Sequence, residues 1–365
     1  TYDFIIIGMG LSGLFTAYHL LKKGGKSSIL LLDEKDIGDK ASGRNAGFLT
    51  YGSSTHFQQS LEKWGLQKTQ EMYLWSQRNL KAIREEIIQD DTEILTSNQK
   101  GSITLYHQEQ LNDGSFEQIK RSLEENKDWM SYEIKERHDL DAYIKTNHCF
   151  ERGISFLQNE YSLNPQKLLE KIKKEISPQV TFQPQTKVHE CLPSSHTPSI
   201  QTNKGSFSAK KIILATNSYF NELLPHSSIK VFPKRAQMVS YHIQESLFYG
   251  NFFYSPGKLY FRQHQNELYI GGMRHLGGKE EDTTLMQENP IILAGIDKFL
   301  SEHFPSLQKK EIRRWSGIMG FSSTALPYAQ EIPEYENFYF LGGYSAHGLG
   351  LSYVNAEKLV DNFLI

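Results

Sequence analysis

The chain has 365 residues, of which 38% are apolar, 22% charged and 12% aromatic. This length predicts two or three domains, or one large α/β unit, and allows a sizeable core without disulfides. The net charge of −2 does not favour nucleic acid or a lipid surface as a partner. The two unclustered cysteines, Cys149 and Cys191, cannot by themselves build a structural zinc site. Apolar runs are too short to span a membrane and no targeting segment is recognisable, so we expect a soluble, cytoplasmic protein.

The first elements follow a strand–turn–helix–strand pattern. Residues 2–7 form a β-branched apolar run, residues 14–21 have a helical pattern, and residues 28–32 predict a second, parallel strand. Between them, Gly8, Gly10 and Gly13 form a GxGxxG turn, which lets a pyrophosphate approach the backbone and the start of the helix. Asp33 ends the second strand, where a carboxylate can bind ribose hydroxyls. The pattern predicts FAD or NAD rather than NADP; the alternative is a glycine-rich helix start without a ligand.

The remaining elements suggest two interleaved units. Helices are predicted at residues 61–89, 165–176, 290–303 and 350–363, and strands at 180–182, 200–202, 211–214 and 338–341. Residues 230–275 alternate as antiparallel strands do, at 237–242, 259–262 and 268–271. We therefore predict an α/β fold in which a nucleotide-binding domain is interrupted twice by an antiparallel-sheet domain. The first comprises residues 1–85, 158–225 and 312–365, and the second comprises 86–157 and 226–311.

A second motif separates FAD from NAD. Residues 41–49 read ASGRNAGFL, and their small side chains let the loop approach a flat ring system. With this loop, the sequence resembles the FAD-dependent D-amino-acid-oxidase-like family, which includes glycine oxidase, sarcosine oxidase and gamma-glutamylputrescine oxidoreductase. Further matching segments lie at residues 162–165, 212–217, 260–262, 270–272, 315–320 and 342–350.

The resemblance implies a glutathione-reductase-like Rossmann domain that holds FAD. Attachment is expected to be noncovalent, because neither cysteine lies near the late motif and Asn45 replaces a histidine in the early loop. The turn 345–348 opens the last helix, so its amides can face the flavin's pyrimidine edge. The expected cofactor residues are Gly8, Gly10, Ser12, Gly13, Asp33, Glu34, Ser42, Gly43, Arg44, Asn45, Ala46, Gly47, Val188, Ala215, Thr216, Gly343, His347, Gly348, Leu349 and Gly350.

The resemblance also places Tyr260 and Arg262 on a sheet that covers the flavin. Arg262 is our candidate for a bidentate contact with a substrate carboxylate; the alternative is a structural or solvated arginine. His347 is expected to donate to the flavin or contact the substrate; alternatively, it is a helix-entry residue with local hydrogen bonds. The secondary arginine candidates are Arg235, Arg274, Arg313 and Arg314.

The sequence departs from the family pattern at substrate-facing positions. The carboxylate-binding arginines of glycine oxidase fall near Met319 and Ala346, and the oxygen-activating lysine of sarcosine oxidase falls near Tyr269. Thr324 takes the position of the family's aspartate ahead of Pro327. These differences argue against a glycine- or sarcosine-type substrate and leave oxidase and dehydrogenase open.

We expect an enzyme that oxidises the C–N bond of an amine or amino acid by hydride transfer to FAD. The electron acceptor is O2 or an unknown redox partner. One alternative is a flavin-dependent tRNA-uridine-modifying oxidoreductase, which needs a basic surface that 40 basic and 42 acidic residues do not provide globally. Another alternative is a non-catalytic flavoprotein subunit.

Overall fold

The computed structural model describes residues 1–96, 101–156, 160–254 and 258–365. The strands are β1 Tyr2–Ile7, β2 Ile29–Leu32, β3 Phe48–Leu49, β4 Ser102–Tyr106, β5 Tyr132–Glu136, β6 Arg152–Phe156, β7 Tyr161–Ser162, β8 Val180–Gln183, β9 Val188–Leu192, β10 Ser199–Thr202, β11 Gly205–Leu214, β12 Val231–His242, β13 Asn251–Tyr254, β14 Leu259–His264, β15 Glu267–Gly272, β16 Lys310–Ser322, β17 Tyr328–Glu331 and β18 Phe338–Gly342. The α-helices are α1 Leu11–Gly24, α2 Ala41–Arg44, α3 Ser54–Ala82, α4 Gln108–Asn112, α5 Ser115–Glu124, α6 Arg137–Leu140, α7 Pro165–Ile176, α8 Phe220–Leu223, α9 Pro290–His303 and α10 Gly348–Leu359.

The first sheet is mostly parallel, with β17 antiparallel to β18 at one edge. Its main path runs β17-β18-β11-β1-β2-β8, with β9 and β10 added as an antiparallel extension of β11. The expected parallel pairing of β1 with β2 is confirmed, and β1 also pairs in parallel with β11. Neighbouring residues of β1 face opposite sides: Ile6 packs in the cluster that contains α1 and α10, whereas Ile5 packs with Phe340 on the other face. Both faces are therefore buried, which is why β1 reads as a continuous apolar run.

The second sheet is mostly antiparallel and covers the cavity described below. Its strand order is β16-β12-β15-β14-β13-β4-β6-β5. The three predicted antiparallel segments lie in β12, β14 and β15, and the predicted helix at 290–303 is α9. The expected α/β fold class is confirmed. Strand β16 pairs with β12 along most of its length, so residues 312–322, which the sequence pattern puts with the nucleotide-binding part, contribute to this sheet. We therefore propose a domain division in which that segment belongs to the second sheet.

The long helix predicted at residues 61–89 is present, but it starts earlier in the chain than predicted and is interrupted by a break. Helix α3 begins at Ser54, where Ser53 accepts a hydrogen bond from the amide of His56, and it continues into a π-helical segment at Ile83–Ile88. Gly65 interrupts α3 with a φ of 75°, and a β-carbon there would meet no atom within 4 Å. The break therefore comes from backbone conformation and not from crowding, because glycine adopts positive φ without a steric penalty. Within the described ranges, none of the helices combines the length and apolar character needed to cross a bilayer.

Candidate active site

The glycine-rich turn after β1 is held in shape by close backbone contacts. A β-carbon on Gly13 would lie 1.9 Å from the carbonyl oxygen of Gly8, so α1 can approach β1 this closely only with glycine. Gly8 itself has a φ of 117°. The amide of Leu11 donates to Ser42 Oγ over 3.0 Å, which connects the start of α1 to the second motif. The free amides at the start of α1 therefore face a space between the two motifs.

The end of β2 supplies a carboxylate that braces this turn. Asp33 is buried, and its Oδ2 accepts a hydrogen bond from the amide of Met9 over 2.9 Å. Lys40 Nζ lies 3.4 Å from Asp33 Oδ1 and 3.0 Å from Glu34 Oε1. Burial alone would lower the pKa of Lys40, but the two carboxylates outweigh this effect and raise it. Asp33 thus supports the turn directly, and Lys40 offsets the negative charge at this edge of the sheet.

The ASGRN loop is folded by its own side chains. Asn45 Nδ2 donates to the carbonyls of Ala41 and Ser42, and its Oδ1 accepts from the amide of Gly47. The carboxamide of Asn45 is therefore used to shape the loop. Arg44 is attached to β16, because its carbonyl accepts from the indole of Trp315 and its guanidinium donates to the carbonyl of Ser316.

The turn before α10 lies beside the start of α1. The hydroxyl of Ser12 donates to the phenolic oxygen of Tyr344 over 2.8 Å, and the amide of Ser345 donates to the carbonyl of Gly320. Helix α10 begins at Gly348, directly after His347. Two helix N-termini therefore converge, and each offers unpaired amides and the positive end of its dipole.

These elements enclose one large cavity of about 1230 Å³ between the two sheets. Tyr260 and His347 line it, and so do most of the expected cofactor residues: Gly8, Gly10, Ser12, Asp33, Glu34, Ser42, Arg44, Asn45, Ala46, Val188, Ala215, Thr216, Gly348, Leu349 and Gly350. Four expected glycines do not line it: Gly13, Gly43, Gly47 and Gly343. A β-carbon on Gly43 or Gly47 would lie 2.3 Å or 2.1 Å from a backbone oxygen, so these glycines shape the surrounding backbone.

The cavity fits a dinucleotide such as FAD by three observations of the chain itself. Gly8 and Gly10 of the glycine turn line the cavity, and the N-termini of α1 and α10 both lie at its wall. The hydroxyl of Thr216 is buried at the cavity wall without a hydrogen-bond partner among the described residues. A buried polar group of this kind is satisfied when a polar ligand binds.

Comparison with known proteins decides the family. The family described as DAO, FAD dependent oxidoreductase, matches residues 3–362. The chain belongs to this family. Among curated proteins, the probable oxidoreductase OrdL of Rhizobium meliloti (strain 1021) is 23% identical to this chain over 367 aligned positions. The alignment covers 96% of this chain and 80% of that protein. The D-amino-acid-oxidase-like resemblance seen in the motifs is therefore confirmed.

Solved structures of other proteins show the same fold. Glycine oxidase from Geobacillus kaustophilus superposes with a TM-score of 0.81 at 19% identity, covering 100% of this chain and 94% of that one. L-proline dehydrogenase from P. horikoshii gives a TM-score of 0.79 at 18% identity, covering 99% and 92%. The fold thus occurs in an oxidase and in a dehydrogenase, so it does not by itself determine the electron acceptor.

The structure places Arg262 outside the cavity. The guanidinium of Arg262 is buried and donates to the carbonyls of Ala46 and Leu163 and to the hydroxyl of Thr96. The group also stacks over the ring of Tyr269, with 4.7 Å between them. The expectation that Arg262 binds a substrate carboxylate is therefore not supported, because its donors hold the ASGRN loop against β14.

The groups that do face the cavity beside His347 are mostly uncharged. The imidazole of His56 lies with its ring centroid 5.2 Å from that of His347. Burial lowers the pKa of His347, and burial together with the neighbouring His347 lowers the pKa of His56 to about 3. Burial also raises the pKa of Tyr260 to about 12. Both histidines and the tyrosine are therefore neutral near pH 7.

Several cavity residues were not identified from the sequence. His56 and Phe253 enter from the start of α3 and from β13, and Met238 enters from β12. Arg274, a secondary candidate, also lines the cavity: its guanidinium lies 5.0 Å from the ring of Phe321, is attracted by the carboxylate of Asp282, and makes no hydrogen bond to another described residue. His56 had one usable local signal, the serine-rich helix start at 53–55, but nothing local indicates which end of a helix meets the cavity.

Ala346 provides a test of strain at the turn before α10. Its φ is 78°, and the preceding Ser345 also has a positive φ, of 51°. Because alanine is disfavoured in this region by about 1 kcal/mol, we expect Ala346→Gly to raise the free energy of unfolding by about 0.5–1 kcal/mol. Urea unfolding of the two proteins measures the difference.

The matched control is Ala356→Gly, the same substitution within α10. There we expect the opposite sign, a loss of about 1 kcal/mol, because glycine is a poor helix residue. If both substitutions destabilise the protein equally, the turn is not strained at Ala346.

Proposed function

We propose that this chain holds FAD noncovalently and oxidises the C–N bond of an amine or amino acid. Bound FAD would supply the hydride acceptor for the carbon next to the substrate nitrogen, and the substrate, after losing a proton as well, would become an imine that water hydrolyses. The similar solved structures of glycine oxidase and L-proline dehydrogenase support a substrate of this class. The electron acceptor, O2 or a redox partner, stays a separate question.

One observation carries this proposal: the dinucleotide turn and the second sheet line a single continuous cavity. Gly10 and Ser12 lie at one part of its wall, and Met238 and Tyr260 from the second sheet lie at another. A ligand held by the glycine turn can therefore extend to a chamber built largely from apolar and aromatic side chains. Such a chamber orients a substrate and excludes water from it.

The chain's own contribution is positioning and fixed positive potential. The start of α10 offers amides at Gly348 and Leu349 to the cavity, and the start of α1 offers those that follow Leu11, whose own amide donates to Ser42 Oγ. These donors stabilise negative charge on a bound ligand without a charged side chain, because they are oriented before the ligand arrives. His56 and His347 are neutral. They therefore do not strongly repel a protonated substrate amine, but they offer it no counter-charge.

We expect the substrate amine to react in its uncharged form. Burying an ammonium ion next to His56, His347 and Tyr260 is costly, because all three side chains are neutral and none compensates its charge. The value of kcat/KM should therefore rise with pH until the pKa of the free amine is reached. Rates measured from pH 5 to 10 with two substrates of different amine pKa should show acidic limbs that differ accordingly. A limb that stays at the same pH for both substrates would show that a group of the enzyme, and not the substrate amine, controls the reaction.

Arg274 is the proposed anchor for a substrate carboxylate, in place of Arg262. We expect Arg274→Gln to raise the KM for an amino acid by about 10- to 100-fold, the value of a lost charged hydrogen bond, with little change in kcat. An amine without a carboxylate should be affected much less. Steady-state kinetics of both substrates provide the measurement.

The control variants separate binding from folding. Arg313→Gln removes an exposed guanidinium of β16 and should leave KM unchanged. Arg262→Gln removes three buried hydrogen bonds and should lower the thermal stability. An unchanged KM in Arg274→Gln would refute the assignment.

The function as a whole is tested by anaerobic reduction of the bound flavin. Purified protein should be yellow and should lose that colour on mixing with a member of a panel of amines, N-methyl amino acids and both enantiomers of amino acids. Acid precipitation should release the colour into the supernatant, since Cys149 and Cys191 lie outside the cavity. Protein that stays colourless with excess FAD contradicts the cofactor, and flavin that no member of the panel reduces contradicts the substrate class.

A further inference from the structure

Three side chains capable of binding a metal ion meet in the second domain, away from the cavity. His107 follows β4, Cys149 lies in the segment before β6, and His303 is the last residue of α9. Their ligand atoms all lie within 4.8 Å of one another. None of the three lines the large cavity, so this cluster is independent of the bound flavin and of the proposed function.

His303 is set up as a ligand by its own hydrogen bond. Its Nδ1 lies 3.0 Å from the carbonyl oxygen of Phe299. A carbonyl can only accept, so Nδ1 carries the proton and Nε2 presents a lone pair. Nε2 is buried and has no hydrogen-bond partner among the described residues, in a side chain that is 9% exposed. Metal-binding histidines usually show this arrangement, in which one ring nitrogen donates to a carbonyl and the other binds the metal.

The other two side chains are already in contact. His107 Nε2 lies 3.1 Å from Cys149 Sγ. The amide of His107 donates to Gln110 Oε1 over 2.9 Å, which fixes the histidine at the start of α4. The ring of His303 lies 4.9 Å from that of His107, between centroids, and is stacked on Phe150 and Phe299. The rings of Phe150 and Phe299 therefore limit the movement of the His303 imidazole.

We propose that His107, Cys149 and His303 bind one Zn²⁺ ion. A thiolate and two imidazoles are ligands that zinc prefers, whereas magnesium and calcium prefer oxygen. His107 and Cys149 are half-buried, so a water molecule can complete the tetrahedron. Ligand atoms at zinc distances are about 3.4–3.6 Å apart. A pair as wide as the 4.8 Å limit of the cluster would therefore close by about 1 Å when the ion binds, whereas His107 Nε2 and Cys149 Sγ, now 3.1 Å apart, would separate slightly. The thiol of Cys149 loses its proton as the sulfur–zinc contact forms.

The ion would join three separate parts of the second domain. It connects the ends of β4 and α9 to the segment before β6, which are brought together only by the fold. Binding to the folded state alone stabilises it, so we expect the melting temperature to rise by about 3–4 °C at free zinc one hundred times the dissociation constant. Turnover by the flavin site should change little.

The test is the zinc content of the full-length protein after loading with zinc sulfate and desalting. Wild type should retain one zinc per chain, and Cys149→Ala and His303→Phe should retain almost none. Phenylalanine keeps the ring stack with Phe150 and Phe299, so His303→Phe should remain folded. The matched control is Cys191→Ala, which removes the other free cysteine and should keep its zinc.

Cobalt provides a readout that needs no variant. Wild-type protein loaded with Co²⁺ should show a thiolate-to-cobalt charge-transfer band and the intense visible bands of a tetrahedral site, and zinc should abolish both. Wild type that retains no zinc, or Cys149→Ala and His303→Phe that retain as much as wild type, would overturn the proposal. Preferential retention of Cu(I) over Zn²⁺ would overturn the choice of metal.

Discussion

The hydrogen bond from the amide of Met9 to Asp33 is the constraint on which the cavity depends. It ties the loop after β1 to the end of β2, and the amide of Leu11 at the start of α1 in turn donates to Ser42 of the second motif. The loop can take this path only because Gly13 lets α1 contact the carbonyl of Gly8. The two parallel strands, the helix and the carboxylate therefore act as one unit, and the remaining walls are positioned relative to it.

The second feature of the site is how little formal charge it carries near His347. The amides at the starts of α1 and α10 supply positive potential through dipoles, while buried His56 and Tyr260 stay neutral. Fixed dipoles cost no reorganisation when a ligand binds, and their effect is large where water is excluded.

The arginines show how similar residue types acquire different roles. Arg262 is surrounded by carbonyl groups and clamps the ASGRN loop to β14. Arg235 forms a bidentate pair with the fully buried Glu281, so it too is structural. Arg274 packs against Phe321 at the cavity wall, and its guanidinium makes no hydrogen bond within the part of the chain that the structure describes. The difference lies in the acceptors that the fold places around each guanidinium.

The sequence by itself determined the parallel unit, the dinucleotide turn, the antiparallel segments and the family, because these depend on local patterns. Apolar runs such as residues 2–7, and glycines at fixed spacing, have nearly the same meaning in any context. Only the tertiary structure decided that Arg262 is buried, that Arg274 and His56 face the cavity, and that β16 joins the second sheet. It also brought His107, Cys149 and His303 together from positions far apart in the chain. Such contacts depend on which distant segments pack against each other, and no short-range pattern in the sequence encodes that.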